Sequence, residues 1–179
     1  REKEIQLDGA RDYTYIKKLS DAIVAKCDTS GTKTLDAELT EQAMKRAEEQ
    51  TVFFSERTRP DGTTITTGYN GSFTEVDVVS TKADYEKDPD GTIAKVAEYG
   101  YRELRDSSRN AIGIGCFIHN GYVHWTMLYQ KKTTATPYSG QYAAKNVRAS
   151  VMISEDPFAR AKYEPEMYQN VSTTLESGG

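Results

Sequence analysis

The chain has 179 residues, 37% hydrophobic and 28% charged, with a formal net charge of -4 at pH 7. That length suits one domain with a sizeable core, and an acidic balance with pI near 5.3 speaks against a general nucleic-acid binder, which presents a basic face. No run approaches the roughly 18 apolar residues needed for a membrane span, and two cysteines are too few for a disulfide scaffold. The chain begins at Arg1 without a basic-then-apolar leader, so the expectation is a trimmed chain whose targeting segment is not shown.

In chain order, Ile16, Leu19, Ile23 and Cys27 recur at helical spacing and predict an amphipathic helix over residues 12–27, stopped by Asp28-Thr29-Ser30-Gly31. A second helix is predicted over residues 36–50 with Asp36 as N-cap. Its Leu39, Ala43 and Ala47 form a narrow stripe suited to close approach, while Glu41, Lys45, Arg46, Glu48 and Glu49 read as a solvated outer face. Pro60-Asp61-Gly62 is a turn, and residues 63–69 read as a short edge strand. The pattern weakens between 70 and 90, and residues 82–91 read as an exposed loop. A third helix is expected from Thr92, with Ile93, Val96, Ala97, Gly100 and Leu104 on one face.

Residues 111–130 carry the strongest local signal. Asn120-Gly121 lies between two apolar, β-branched and aromatic runs, and a type I′ turn needs φ > 0 at both central residues. A two-residue turn pairs Ile118 with Val123, Cys116 with Trp125, Ile114 with Met127 and Ile112 with Tyr129 on a core face. The other face holds Gly113, Gly115, Phe117 and His119 opposite Tyr122, His124, Thr126 and Leu128. Its two glycines call for a closely packed neighbour. Residues 131–145 read as a loop, residues 147–153 as a half-buried strand, and residues 159–171 as one more strand or a short helix. Residues 172–179 are expected to fray.

Three segments in order resemble the CAP superfamily (SCP-like, allergen V5/Tpx-1-related), above all its bacterial extracellular branch. Leu35-Asp36-Ala37-Glu38-Leu39 with Ala43-Met44-Lys45-Arg46-Ala47-Glu48 resembles the pattern LDxxLxxxAxxRAxE. Phe54-Ser55-Glu56-Arg57-Thr58-Arg59-Pro60-Asp61-Gly62 is similar to FSHTRPDG, and Ile112-Gly113-Ile114-Gly115-Cys116 followed by Gly121-Tyr122-Val123-His124-Trp125 to IGVGC…GYYW. The resemblance implies an α+β fold, a three-layer α-β-α sandwich around a central antiparallel sheet. The CAP/SCP-like domain would span residues 10–130, with residues 131–179 a C-terminal extension packed on it or linking onward.

Many members of that family line a cleft with two His and two acidic residues that hold a divalent metal. Here Glu56 or Arg57 stands where FSHTRPDG has His, Gly68-Tyr69-Asn70 is the nearest match to the family's GEN, and Asp106-Ser107-Ser108-Arg109 lacks the family's second His. The metal tetrad is therefore expected to be absent. The cleft candidates are Glu56, Arg57, Tyr69, Asn70, Tyr101 and His124, and Glu56 and His124 are the two candidates for acid/base catalysis. For each the plainer reading is structural: an exposed ion-pair cluster for Glu56, turn-proximal polar residues for His119 and His124, half-buried packing for the tyrosines. Cys27 and Cys116 form either one bridge or two buried thiols.

The implied function is a secreted or cell-surface, non-catalytic domain that binds a protein, glycan or lipid-like ligand, without cofactor. Twelve tyrosines and abundant Thr and Ser agree with an extracellular address. The alternatives are an extracellular hydrolase or peptidase with a rebuilt Glu/His or zinc cleft, and a structural module of a larger surface protein.

Overall fold

The Asn120-Gly121 turn places both residues at positive φ, 51° and 82°, and sets the register of the hairpin it closes. Strands β4 (Ala111–His119) and β5 (Tyr122–Gln130) pair antiparallel with Ile118 opposite Val123, Cys116 opposite Trp125, Ile114 opposite Met127 and Ile112 opposite Tyr129, as the period-two pattern predicts.

The computed structural model describes residues 2–27, 33–55, 57–66, 73–104, 108–140, 143–155 and 170–175. Around the hairpin they assemble an α+β fold. The other strands are β1 (Glu2–Asp12), β2 (Thr34–Leu35), β3 (Phe73–Thr81), β6 (Ala144–Ser154) and β7 (Asn170–Leu175). The helices are α1 (Thr14–Cys27), α2 (Ala37–Val52), α3 (Lys82–Lys87) and α4 (Pro89–Leu104). Six strands run antiparallel in the order β6-β1-β4-β5-β3-β7, while β2 lies parallel to the first residues of β4. One edge of β4 thus serves two partners: β2 pairs at Ala111 and Ile112, β1 at Phe117 and Ile118.

Alternation along β4 and β5 divides the core in two. Ile112, Ile114, Cys116, Trp125, Met127 and Tyr129 pack with Ile16, Leu19 and Ile23 of α1 and with Ile93, Val96 and Ala97 of α4. On the opposite face α2 lies directly on the glycines. A Cβ built on Gly113 would overlap the backbone of Leu39, and one on Gly115 the backbone of Ala43 and Met44. The close neighbour that the glycines call for is thus α2, admitted by its own Leu39, Ala43 and Ala47, all fully buried. Gly115→Ala is expected to cost about 1–3 kcal/mol, because the added methyl meets backbone that no rotamer change relieves. Thermal denaturation checks it, and an unchanged midpoint would mean that α2 does not press on the sheet.

Local chemistry explains the helix boundaries. Asp36 caps α2, its Oδ2 accepting from Leu39 N at 3.0 Å. The segment after β5 is pinned to the same cap, for Thr136 N donates to Asp36 Oδ1 at 2.9 Å and Lys132 Nζ to Oδ2 at 2.8 Å.

Several expectations are corrected. Residues 82–91 are not a loop: Thr81 caps α3 by accepting from Asp84 N at 3.0 Å, Pro89 opens α4, and Asp88 Oδ1 accepts from Gly91 N at 3.0 Å. The edge strand expected over 63–69 reduces, within its described residues, to an isolated bridge between Thr58 and Thr64. Ser172 to Leu175 do not fray, because β7 pairs with Phe73 to Val78 of β3. Strand β1 was not foreseen, and it pairs along its whole length with β6. Strands β6 and β7, both from the stretch after residue 130, belong to the same sheet as the hairpin.

Candidate functional site

The charged side of α2 is the largest departure from expectation. Arg46, Glu48 and Glu49, read as a solvated face, are 0%, 0% and 4% exposed. The glycine contact brings α2 so close to the sheet that side chains flanking its small-residue stripe are carried inside.

They meet two carboxyl groups of β3. Across the sheet Gly115, Thr126 and Asp77 form one rung, and Gly113, Leu128 and Glu75 the next. Period-two alternation therefore points Glu75 and Asp77 toward α2. Arg46 Nε and Nη2 donate to the two oxygens of Glu75 at 2.9 and 3.0 Å, a bidentate pair, while Nη1 donates to Glu49 Oε1 at 2.9 Å. Arg59, from the turn after α2, closes the cluster by donating to Glu49 Oε1 and Oε2 at 3.1 and 2.8 Å. Thr126 Oγ1 donates to Asp77 Oδ1 at 2.7 Å.

Burial works against the charge of Arg46, but Glu75, Asp77 and Glu49 outweigh it and hold the guanidinium well above its ordinary pKa. Burial likewise pushes Glu75 up, yet Arg46 prevails and holds it below the usual carboxylate range. Asp77 goes the other way: burial, and then the negative charge of Glu75, push it well above its ordinary value. The two shifts are opposite, so within the pair Asp77 is the group that takes up a proton more readily. A second, half-buried pair joins α2 to β1, with Arg11 Nη2 donating to Glu48 Oε1 at 2.6 Å.

The sequence-selected residues are scattered. His124 sits within β5 between Phe117 of β4 and Val79 of β3, 1% exposed, and burial, helped by His119, lowers its pKa to about 3. A neutral imidazole enclosed in this way suits packing rather than proton transfer. His119 is partly exposed, its Nδ1–H donating to the Asp8 carbonyl at 2.7 Å. Arg57 is exposed on the turn segment, its carbonyl accepting from Ile65 N at 3.0 Å. Cys116 is a free, buried thiol, pushed well above its ordinary pKa by burial. Glu56, Tyr69 and Asn70, and the side chains of Tyr101 and Cys27, lie outside the described residues.

Among the described residues no group of three or more His, Cys, Asp or Glu is placed to hold a metal ion. Where acidic groups do converge, at Glu49, Glu75 and Asp77, two guanidiniums and a hydroxyl occupy their lone pairs, so this donor set does not fit a divalent metal. No helix is long and apolar enough to cross a membrane among these residues.

The sequence reading missed this cluster. The signal was present in Phe73-Thr74-Glu75-Val76-Asp77-Val78-Val79, where acids alternate with β-branched residues as on a strand with one polar face. That its polar face is buried was not visible, because nothing local says that α2 covers it.

The described residues also form two surface grooves. One, of about 490 Å³, lies where the end of β3 meets α3 and α4; the other, of about 610 Å³ and more open, flanks the hairpin tip beside Asp8, His119 and Arg148. Comparison with protein-family models, with curated proteins and with solved structures gives no match to this chain.

Proposed function

We propose that this chain is a diverged CAP-type domain, secreted or displayed at a cell surface, that binds a ligand rather than transforming one. One observation carries the reading: the acids that converge between α2 and β3 lie in the interior, Glu75 and Glu49 on the guanidiniums of Arg46 and Arg59 and Asp77 on the Thr126 hydroxyl, with Glu75 and Asp77 0% and 1% exposed. Hydrolysis needs a general base or a Lewis acid that substrate can reach. Buried carboxyl groups held by guanidiniums and a hydroxyl supply neither. The CAP part of the reading rests on the three sequence segments, and is supported by helices packed on both faces of an antiparallel sheet whose central hairpin carries the third segment.

The test is calorimetric titration with zinc at neutral pH, paired with a screen of peptide and ester substrates. No stoichiometric zinc heat and background turnover are expected. Saturable zinc binding at a single site, or a turnover abolished by Glu75→Gln, would overturn the reading.

A further inference from the structure

The groove between β3, α3 and α4 has the build of a ligand site, and from its lining we infer that it takes a short carbohydrate chain; this deepens the binding-domain reading and rests on it. Its volume of about 490 Å³ lies within the range of roughly 300–1,000 Å³ common to small-molecule pockets. Val78, Val79 and Val96 give it an apolar floor, and Tyr99 and Tyr122 stand in its lining. Tyr99 is 40% exposed, so its ring is open to a ligand in the groove.

Part of the polar lining is unspent. Asp84, Lys87 and Lys95 make no ion pair or side-chain hydrogen bond within the described structure. Together with the phenols they offer strong donors and a strong acceptor around an aromatic surface. A sugar ring matches this combination, because its hydroxyls both donate and accept while its C–H faces pack on aromatic rings, whose faces are electron-rich.

Other occupants fit less well. An acyl chain would desolvate four charged side chains, Asp84, Lys87, Asp88 and Lys95, without compensating them. A nucleic acid would meet Asp84 and Asp88 on a chain of net charge -4. An added peptide strand would find only Val79 to Thr81 of β3 beyond the last β7 pair, Val78 with Asn170, which is too short an edge for a ladder.

The experiment titrates the whole chain, by calorimetry and tryptophan fluorescence, with trisaccharides of glucose, mannose, galactose and N-acetylglucosamine in different linkages, and in parallel with a library of unstructured peptides. At least one trisaccharide is expected to bind saturably. Tyr99→Ala should weaken that binding about tenfold, the size of one lost contact residue, and Lys95→Ala should weaken it too. Both side chains are exposed, so unchanged circular dichroism would confirm that the variants fold. Binding to no sugar, or sugar binding indifferent to both substitutions, would overturn the inference. Groove-dependent peptide binding without sugar binding would overturn it while leaving the binding-domain reading intact. Silence toward sugars and peptides alike would remove both.

Discussion

Arg46→Met is expected to destabilise the fold by about 3–5 kcal/mol, the cost of breaking a buried ion pair from one side. The guanidinium is 0% exposed and makes three bonds to two carboxylates. Methionine keeps the stem and loses all three. Glu75 is then left as a buried charge with only Arg59 to oppose it, and its pKa, now held down chiefly by Arg46, must rise toward proton uptake. Proton uptake costs more at higher pH, so the destabilisation should be larger at pH 9 than at pH 7. Urea denaturation at both pH values measures this, and a double variant that adds Glu75→Gln should regain part of the loss by removing the stranded charge. A loss under about 1 kcal/mol would mean that water reaches the cluster, since exposed pairs are worth no more than that. It would also reopen the site to solutes and weaken the case against catalysis.

Acid sensitivity through His124 is the second large effect. Burial holds this imidazole at a pKa of about 3 against an ordinary 6.5. The folded state therefore favours neutral histidine. Its contribution is complete above pH 6.5 and is lost as pH falls toward 3, because only the unfolded chain gains the proton over that interval. At 1.36 kcal/mol per unit the loss is about 5 kcal/mol across the window. Asp77 opposes it, since a carboxyl raised well above its ordinary value favours folding most strongly at low pH and loses that contribution as pH rises. Comparing the wild type with His124→Gln isolates the histidine. Between pH 7 and pH 3.5 the wild type should lose several kcal/mol more than the variant, read from urea midpoints. Parallel pH profiles for the two proteins would show that His124 titrates normally and is open to solvent.

Local pattern sufficed where neighbours in sequence are neighbours in space. The 120–121 turn fixed the β4–β5 register to the residue, because a two-residue turn leaves one pairing and alternation then assigns every side chain to a face. Asp36 was legible as a cap, and Leu39, Ala43 and Ala47 as a close-packing stripe, for the same reason: capping and helical periodicity act over four residues. The glycine-bearing face announced a close neighbour without naming it.

What only the tertiary structure decided depends on pairings between distant segments. Nothing near Glu2–Asp12 shows that its partner is Ala144–Ser154, and nothing near Asn170–Leu175 shows that it completes the sheet on β3. The same limit hid the ion cluster. Arg46, Glu48 and Glu49 look solvated on an isolated helix, and Glu75 and Asp77 look solvated on an isolated strand. Arg46 and Glu75 are tolerated in the interior because each supplies the other's counter-charge, while Glu49 draws also on Arg59 and Glu48 on Arg11 of β1, so no one segment carries the information alone. The sequence thus determined the hairpin, the cap and the small-residue helix that must meet it, whereas the meeting of α2 with β3, with Arg11 of β1 and with Arg59 turned five apparently surface charges into buried ones.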